Sequence, residues 1–300
     1  MNSPVFSSLL PVVLLIAIGF VAGRSGWIRA EATKDLSNLV FMVLTPALLF
    51  RTMSSVHVEQ LDSLPLLVYF SAAFALFGLV LAFQGFQRRG VALALASVFS
   101  NTVMIGIPLV ELAYGKDGLV TLLTLVSVHA LVLLTVITIV FELAVAREAR
   151  AAGQGAGSLW RTAWAAVKST VIHPIPLPIL CGLLYAQTGW GLPVVVDKPL
   201  QLLANAFGPI ALLLVGVTMS RTRVTGLWRD TLLVTLLKNL ALPACVALSG
   251  WLWGLQGLPW TVMVVAAALP VGANVFLFAQ RYQVAEDLVT ASVGVSTAAA

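Results

Sequence analysis

The stretch FSNTVMIGIPLVELAYG, residues 99–115, lies inside a long apolar run that nevertheless contains an asparagine, two glycines and a proline. An apolar run of this length predicts a helix that crosses a membrane. Asn101 and Pro108 do not suit a plain membrane helix, because an amide needs polar partners and proline removes a backbone donor. The stretch therefore predicts an interrupted membrane helix that faces a polar protein interior rather than lipid.

The composition of the whole chain supports a membrane environment. Hydrophobic residues make up 60% of the 300 residues and charged residues 10%, and the mean hydropathy is +1.00. A soluble domain could not bury that much apolar surface. The net charge of +5 comes from basic residues between apolar runs, which does not favour a nucleic-acid partner. We therefore predict an all-α integral membrane protein in a lipid bilayer.

Apolar runs separated by charged or turn-forming residues predict ten transmembrane helices. Their expected ranges are 4–23, 36–53, 64–84, 91–113, 118–145, 170–187, 197–219, 229–250, 259–280 and 285–300. Most lysines and arginines follow odd-numbered runs, so the positive-inside rule places the N-terminus outside. Residues 147–169 are expected to form a cytoplasmic linker, with a short interfacial helix over 158–167.

The two halves of the sequence resemble each other at an offset close to 163 residues. The matches are Gly26-Trp27 with Gly189-Trp190, Pro46 with Pro209, and Pro108 with Pro270. The units are 1–146 and 170–300, and five spans in each predict two inverted five-helix repeats, as in secondary transporters. Ala300 then matches the middle of span 5, so we expect the tenth helix to be truncated.

Crossed, broken helices 4 and 9 are the predicted binding site. Pro108 and Gly106 should release the carbonyl of Met104, and Pro270 should release that of Ala266. The inner N-termini of two half-helices would suit an anion such as a carboxylate. The alternative is a pair of proline kinks whose amides bond between helices. The candidate substrate-binding residues are Asn101, Thr102, Met104, Gly106, Pro108, Pro270, Gly272 and Asn274.

Three further residues are candidates for charge or proton handling. Lys238 lies deep in span 8, where it either serves function or braces the bundle as a partner for carbonyl groups. Asn239 follows it in LKNLALP, a segment in which Pro243 is expected to bend the helix. His129 lies in the middle of span 5, either as a proton relay or as a neutral hydrogen-bonding partner between helices. No cofactor or metal is predicted, and coupling to H⁺ or Na⁺ stays open.

Four segments carry a family resemblance: LVFMVLTPALLFRTM, SNTVMIGIPLVELAYG, LKNLALP and ALPVGANVFLFAQRY. Together they resemble the auxin efflux carrier family in its short bacterial branch. The resemblance implies a fold like that of bile-acid transporters, with a scaffold from helices 1, 2, 6 and 7 and a transport domain from helices 3–5 and 8–10. It also implies elevator-type transport of small organic anions, such as malonate-like dicarboxylates or indole-acetate-like monocarboxylates, across a bacterial inner membrane. It leaves a homodimer open.

Two other classes of protein compete with a transporter. An intramembrane hydrolase could use Ser25 of GRSG as nucleophile, with His129 or His173 as base. However, Ser25 lies beside Arg24 at a predicted cytoplasmic loop, where a protected nucleophile is not expected. A membrane sensor is the second alternative. We predict a transporter rather than an enzyme.

Overall fold

The structure is a computed structural model that describes residues 4–56, 63–151, 176–221, 227–272 and 274–300. Within these ranges the chain is helical, apart from turns and one isolated antiparallel bridge. The α-helices are α1 (Pro4–Arg24), α2 (Ala30–Leu39), α3 (Thr45–Met53), α4 (Leu64–Gln84), α5 (Arg88–Ala96), α6 (Ile107–Ala151), α7 (Pro176–Ala186), α8 (Val194–Met219), α9 (Trp228–Leu236), α10 (Leu242–Leu252), α11 (Gly257–Ala268), α12 (Asn274–Arg281) and α13 (Glu286–Ala299).

The prediction of an all-α membrane protein is confirmed at the level of its helices. Among the described residues, four helices are long and apolar enough to cross a membrane: Glu31–Met53, Leu64–Gln84, Val194–Met219 and Trp228–Leu252. Each of the ten predicted runs contains helix. The count of ten spans and their arrangement as inverted repeats stay predictions. The proposed interfacial helix over 158–167 and His173 lie outside the described residues.

In the described part of the chain, three short π-helical turns interrupt the regular helices: π1 (Val40–Leu44), π2 (Thr102–Gly106) and π3 (Leu237–Ala241). Each ends two residues before a proline, namely Pro46, Pro108 and Pro243. Proline cannot donate to the carbonyl four residues earlier and its ring displaces that carbonyl. A wider turn accommodates both effects. In π1 and π3 the residue before the proline donates to the carbonyl five residues earlier.

Pro108 therefore does not interrupt its helix, and that prediction is wrong in position. Pro108 is the second residue of α6, and the helix continues past it. The interruption in this region lies earlier, at residues 97–101, where helical backbone gives way to extended backbone. A break within α6 itself falls at Gly115, whose φ of 64° and ψ of −156° lie outside the helical region. Glycine adopts that positive φ without the steric cost that a Cβ would impose.

The chain divides into two compact units, and unit 1 comprises Met1–Asp62, Thr102–Ser127 and Ile172–Thr222. Its centre is a close approach of α1 and α8. A Cβ on Gly19 would lie 2.0 Å from the carbonyl oxygen of Leu213, and a Cβ on Gly216 would lie 1.9 Å from that of Ile16. Small residues that allow backbones to meet are the usual basis of helix packing in membranes.

Unit 2 comprises Ser63–Asn101, Val128–Val171 and Arg223–Ala300. Within it, α4 packs against α10, and the hydroxyls of Ser71 and Ser249 are hydrogen-bonded at 3.0 Å. At the start of α5, Arg88 forms an ion pair with Glu148, with 2.6 Å between Nε and Oε2. Unit 2 also contains the two interrupted segments that form the candidate site.

Candidate functional site

The first interruption follows α5. The Ser97 hydroxyl and amide both donate to the Leu93 carbonyl, at 2.9 and 3.0 Å, and the Phe99 amide donates to Leu95 at 2.9 Å. Serine side chains that bond to nearby carbonyls compete with regular helix and favour its end. Beyond Phe99 the chain is extended through Asn101. The polar residues of the opening stretch therefore mark a break in the helix, as the sequence predicts, but upstream of the proline.

The second interruption follows α11 and is caused by Pro270. The residue before a proline is disfavoured in helical geometry, and Leu269 accordingly has φ −55° and ψ 150°. The helix ends at Ala268, and residues 269–272 are extended or irregular. Helix resumes as α12 at Asn274. The predicted break at Pro270 is present where the sequence places it.

The two interrupted segments pair with each other, and we call this pairing the crossover (residues 97–101 with 269–272). Ser100 and Val271 form an antiparallel bridge. The Asn101 amide donates to the Pro270 carbonyl at 2.9 Å, and the Gly272 amide donates to the Phe99 carbonyl at 2.8 Å. Each segment thus satisfies backbone groups that the other would leave unpaired. This is the condition for irregular backbone at membrane depth.

The close approach of the two segments at the crossover requires glycine at position 272. A Cβ at this position would lie 2.8 Å from Cδ1 of Phe99 and 3.0 Å from the carbonyl oxygen of Ser100. No side chain fits there without moving the backbone or the Phe99 ring. The glycine after Pro270 is therefore part of the pairing and not merely a flexible position.

Lys238 braces the crossover from π3. Its side chain is completely buried, and Nζ donates to the carbonyls of Ala267 and Leu269 at 2.6 and 2.5 Å. These carbonyls lie at the C-terminal end of α11, the negative end of the helix dipole. The contacts match the second of the two interpretations for Lys238, that of an internal partner for carbonyl groups.

Ser296 of α13 completes the support on the same side. The Val271 amide donates to its hydroxyl at 3.0 Å, and Asn239 Nδ2 donates to its carbonyl at 2.9 Å. Asn239 Oδ1 is buried and accepts no hydrogen bond from the residues that the structure describes. The pair Lys238–Asn239 therefore contacts both the end of α11 and the helix behind it.

His129 contacts the first segment of the crossover through Phe99 and lies among aromatic rings. Its side chain is buried, its ring centroid lies 4.8 Å from that of Phe99, and Nε2 is 3.5 Å from the Tyr69 hydroxyl. The same hydroxyl is hydrogen-bonded to Ser100 Oγ at 3.0 Å. The Tyr69–Ser100 link was not anticipated from the sequence, because Tyr69 lies in an ordinary apolar run.

The remaining predicted residues fall into two groups. Asn101 is 8% exposed and joins Pro270 and Gly272 at the crossover. Asn274 begins α12 directly after it. The other four, Thr102, Met104, Gly106 and Pro108, lie on π2 and the start of α6 and belong to unit 1, where Pro108 faces Gly208 of α8.

Unit 1 contains a polar cavity of about 610 Å³ that the sequence did not predict. Its wall includes an ion pair in which Arg51 Nε lies 2.7 Å from Asp197 Oδ1, and Glu111 and Lys116 also line it. Arg51 and Asp197 are 146 residues apart in sequence. Charged residues at the ends of apolar runs are the only signal of this pairing, and they are equally typical of helix boundaries.

The family model described as membrane transport protein matches residues 4–300. The chain belongs to the membrane transport protein family. The predicted resemblance to auxin efflux carriers is confirmed, because the same family includes such carriers.

Relatives of this family cover nearly the whole chain. Auxin efflux carrier component 8 of Arabidopsis thaliana is 22% identical over 96% of the chain and 92% of the relative. A putative malonate transporter of Rhizobium meliloti is 24% identical over 96% of the chain and 90% of the relative. The lysosomal cholesterol signaling protein of Mus musculus is 26% identical over 97% of the chain but 36% of the relative. The chain is thus a multi-pass membrane protein of a transporter family, and the carriers it resembles are named as transporters, not as enzymes.

Proposed function

We propose that the protein is a secondary transporter of small organic anions, with carboxylates as the substrate class and the crossover as the substrate site. The observation that carries the proposal is the pairing of Asn101 with Pro270 and of Gly272 with Phe99. Interrupted helices of this kind are typical of carrier binding sites. The names of the Rhizobium and Arabidopsis relatives support malonate-like and auxin-like carboxylates as the first substrates to test.

The electrostatics of the crossover favour an anion. Helix α12 begins at Asn274. The Val275 amide donates to the Gly272 carbonyl at 3.1 Å, and the other amides of the first turn lack partners within the helix. These groups and the positive end of the dipole attract a carboxylate. At the end of α11, Lys238 occupies carbonyls that would otherwise repel one. Asn101 adds an amide that can donate or accept without carrying charge.

The proposed mechanism is alternating access of the elevator type. Unit 2 would be the moving transport domain and unit 1 the scaffold. The division of the chain supports this assignment, because unit 1 contains α1–α3, α7 and α8, which correspond to predicted spans 1, 2, 6 and 7. Residues 102–127 are the exception, since they group with unit 1 although spans 4 and 5 were assigned to the transport domain. The proposal places the protein in the bacterial inner membrane with its N-terminus outside.

Transport by purified protein in liposomes tests the proposal. Labelled malonate, succinate and indole-acetate are offered under imposed pH, sodium and voltage gradients. We expect saturable flux of at least one carboxylate, and export of a monoanion should respond to voltage by about 2.3 kcal/mol per 100 mV. Absence of flux under every gradient would contradict a carrier. Saturable binding without flux would indicate a sensor instead.

The site itself is tested by Asn101→Ala and Asn274→Ala. We expect each variant to lose carboxylate binding while remaining folded. Asn38→Ala is the matched control, because Asn38 is an exposed asparagine of α2. Wild-type affinity in both site variants would place the substrate elsewhere.

A further inference from the structure

The end of α11 carries negative partial charge, and its Ala267 carbonyl lacks the backbone donor that a continuous helix would provide. In a continuous helix the Ala267 carbonyl would accept from the amide of Val271, four residues later. Here the Val271 amide donates to Ser296 Oγ instead, at 3.0 Å. The C-terminus of a helix corresponds to about half a negative charge. Two carbonyls, of Ala267 and Leu269, therefore point at one place in the buried part of unit 2.

The group in that place is the ammonium of Lys238. Its Nζ lies 2.6 Å from the Ala267 oxygen and 2.5 Å from the Leu269 oxygen, and the side chain is 0% exposed. Carbonyl oxygens at the end of an interrupted helix are also how membrane carriers coordinate a coupled alkali ion. The ammonium and an alkali ion would thus compete for the same carbonyls.

We propose that Lys238 is a tethered cation that replaces a coupled sodium ion at the crossover. The carrier would then move its anion without binding an alkali ion at the end of α11. This inference rests on the proposed transport function, since it concerns how an anion carrier is coupled. It assigns Lys238 as a positioning residue that acts on the crossover backbone rather than on the substrate.

Two substitutions separate the lost charge from the space that it leaves. Lys238→Ala removes the ammonium and opens a space beside the two carbonyls. Lys238→Met removes the same charge but fills the space with an apolar chain of similar length. Lys198→Ala is the control for loss of a lysine, because Lys198 is exposed on α8 in unit 1.

The measurement is the melting temperature in detergent, in the absence of substrate. Tryptophan fluorescence reports the unfolding. Sodium, potassium and methylammonium are compared with choline, which is too large for the space, at equal ionic strength. A ligand that binds only the folded state raises the melting temperature saturably. For Lys238→Ala we expect a lowered melting temperature that methylammonium or sodium raises again, on the order of 2–4 °C. The wild type, Lys238→Met and Lys198→Ala should show no difference between these cations and choline.

Three outcomes would overturn the inference. The first is a Lys238→Ala variant that melts lower but responds equally to sodium, methylammonium and choline. The second is a Lys238→Met variant that regains stability with the same cations as Lys238→Ala. The third needs no variant: a saturable rise in the melting temperature of the wild type with sodium would show that it binds the ion itself. Failure of carboxylate flux would refute the proposed function but would leave these melting results unchanged.

Discussion

Gly272→Ala is the most direct test of the crossover geometry. The added Cβ would lie 2.8 Å from Cδ1 of Phe99 and 3.0 Å from the Ser100 carbonyl oxygen. The oxygen belongs to the backbone, so relief of this contact requires the two paired segments to separate. Separation would lengthen the bonds from Gly272 to Phe99 and from Asn101 to Pro270, now 2.8 and 2.9 Å.

The expected cost follows from these two effects. Forcing a methyl group into a packed site costs about 1–3 kcal/mol, and each weakened buried hydrogen bond about 1 kcal/mol. We therefore expect Gly272→Ala to lower the free energy of unfolding by about 3–5 kcal/mol. The measurement is a denaturant titration in mixed micelles, together with amide hydrogen exchange of residues 97–101 and 269–272.

Gly78→Ala provides a matched control in the same unit. Gly78 lies within α4, and a Cβ there would meet no atom within 4 Å. Alanine is the better helix former, so this variant should be as stable as the wild type or more stable by up to about 1 kcal/mol. If both glycine variants unfold alike and the amides of Asn101 and Gly272 keep their protection, the close approach at the crossover does not exist.

Three further predictions concern polar contacts within single units. Tyr69→Phe should lower the free energy of unfolding by about 1–3 kcal/mol in a denaturant titration, because it leaves the buried Ser100 hydroxyl without this partner; a loss no larger than in a Tyr185→Phe control, which removes only an exposed hydrogen bond of 3.4 Å from a half-buried side chain, would contradict the link. A double-mutant cycle on Arg51 and Asp197 should give a coupling energy below about 1 kcal/mol, since both side chains are about one-third exposed. Burial alone would raise the pKa of Glu148, but hydrogen bonds from Arg88 and its charge outweigh burial and lower that pKa. The stabilisation is therefore present above the ordinary carboxyl pKa near 4.5 and lost as the pH falls through the lower folded value, so Glu148→Gln should melt with a weaker dependence on pH below 4.5.

The sequence predicted the helices well where local signals were strong. The range 64–84 is an example, because Pro65 opens the helix and Gly85 closes it with a φ of 84°. The break at Pro270 was equally accessible, since the restriction on the residue before a proline is local. In each case the residues that decide the structure are neighbours in the sequence.

The predicted position of the first break was wrong because a proline can either end a membrane helix or be accommodated within it. At Pro270 the chain leaves the helix, whereas at Pro108 the helix widens into π2 and continues. The true break at residues 97–101 contains serines and an asparagine, which are weaker signals than proline. Its position depends on pairing with residues 269–272, about 170 positions later, and this contact leaves no local pattern.

The role of Lys238 could not be predicted either, because contacts between distant parts of the chain leave no local pattern. Its depth in an apolar run predicts a functional or structural partner, but the partners are the carbonyls of Ala267 and Leu269 on another helix. The ion pair of Arg51 with Asp197 likewise joins distant parts of the chain. The sequence identifies such residues as unusual, and the fold decides what they bind.

The π turns have a consequence for how the length of this chain can change. A π turn is equivalent to an α-helix with one inserted residue, so deleting a residue from Val40–Leu44 or Leu237–Ala241 would restore a regular ladder. The side chains beyond the turn would keep their facing, because the wider turn absorbs the extra residue. Pro46 and Pro243 would, however, lose the widened turn that accommodates their rings. A viable one-residue deletion therefore requires loss of the following proline as well, and homologous helices should gain or lose the two together.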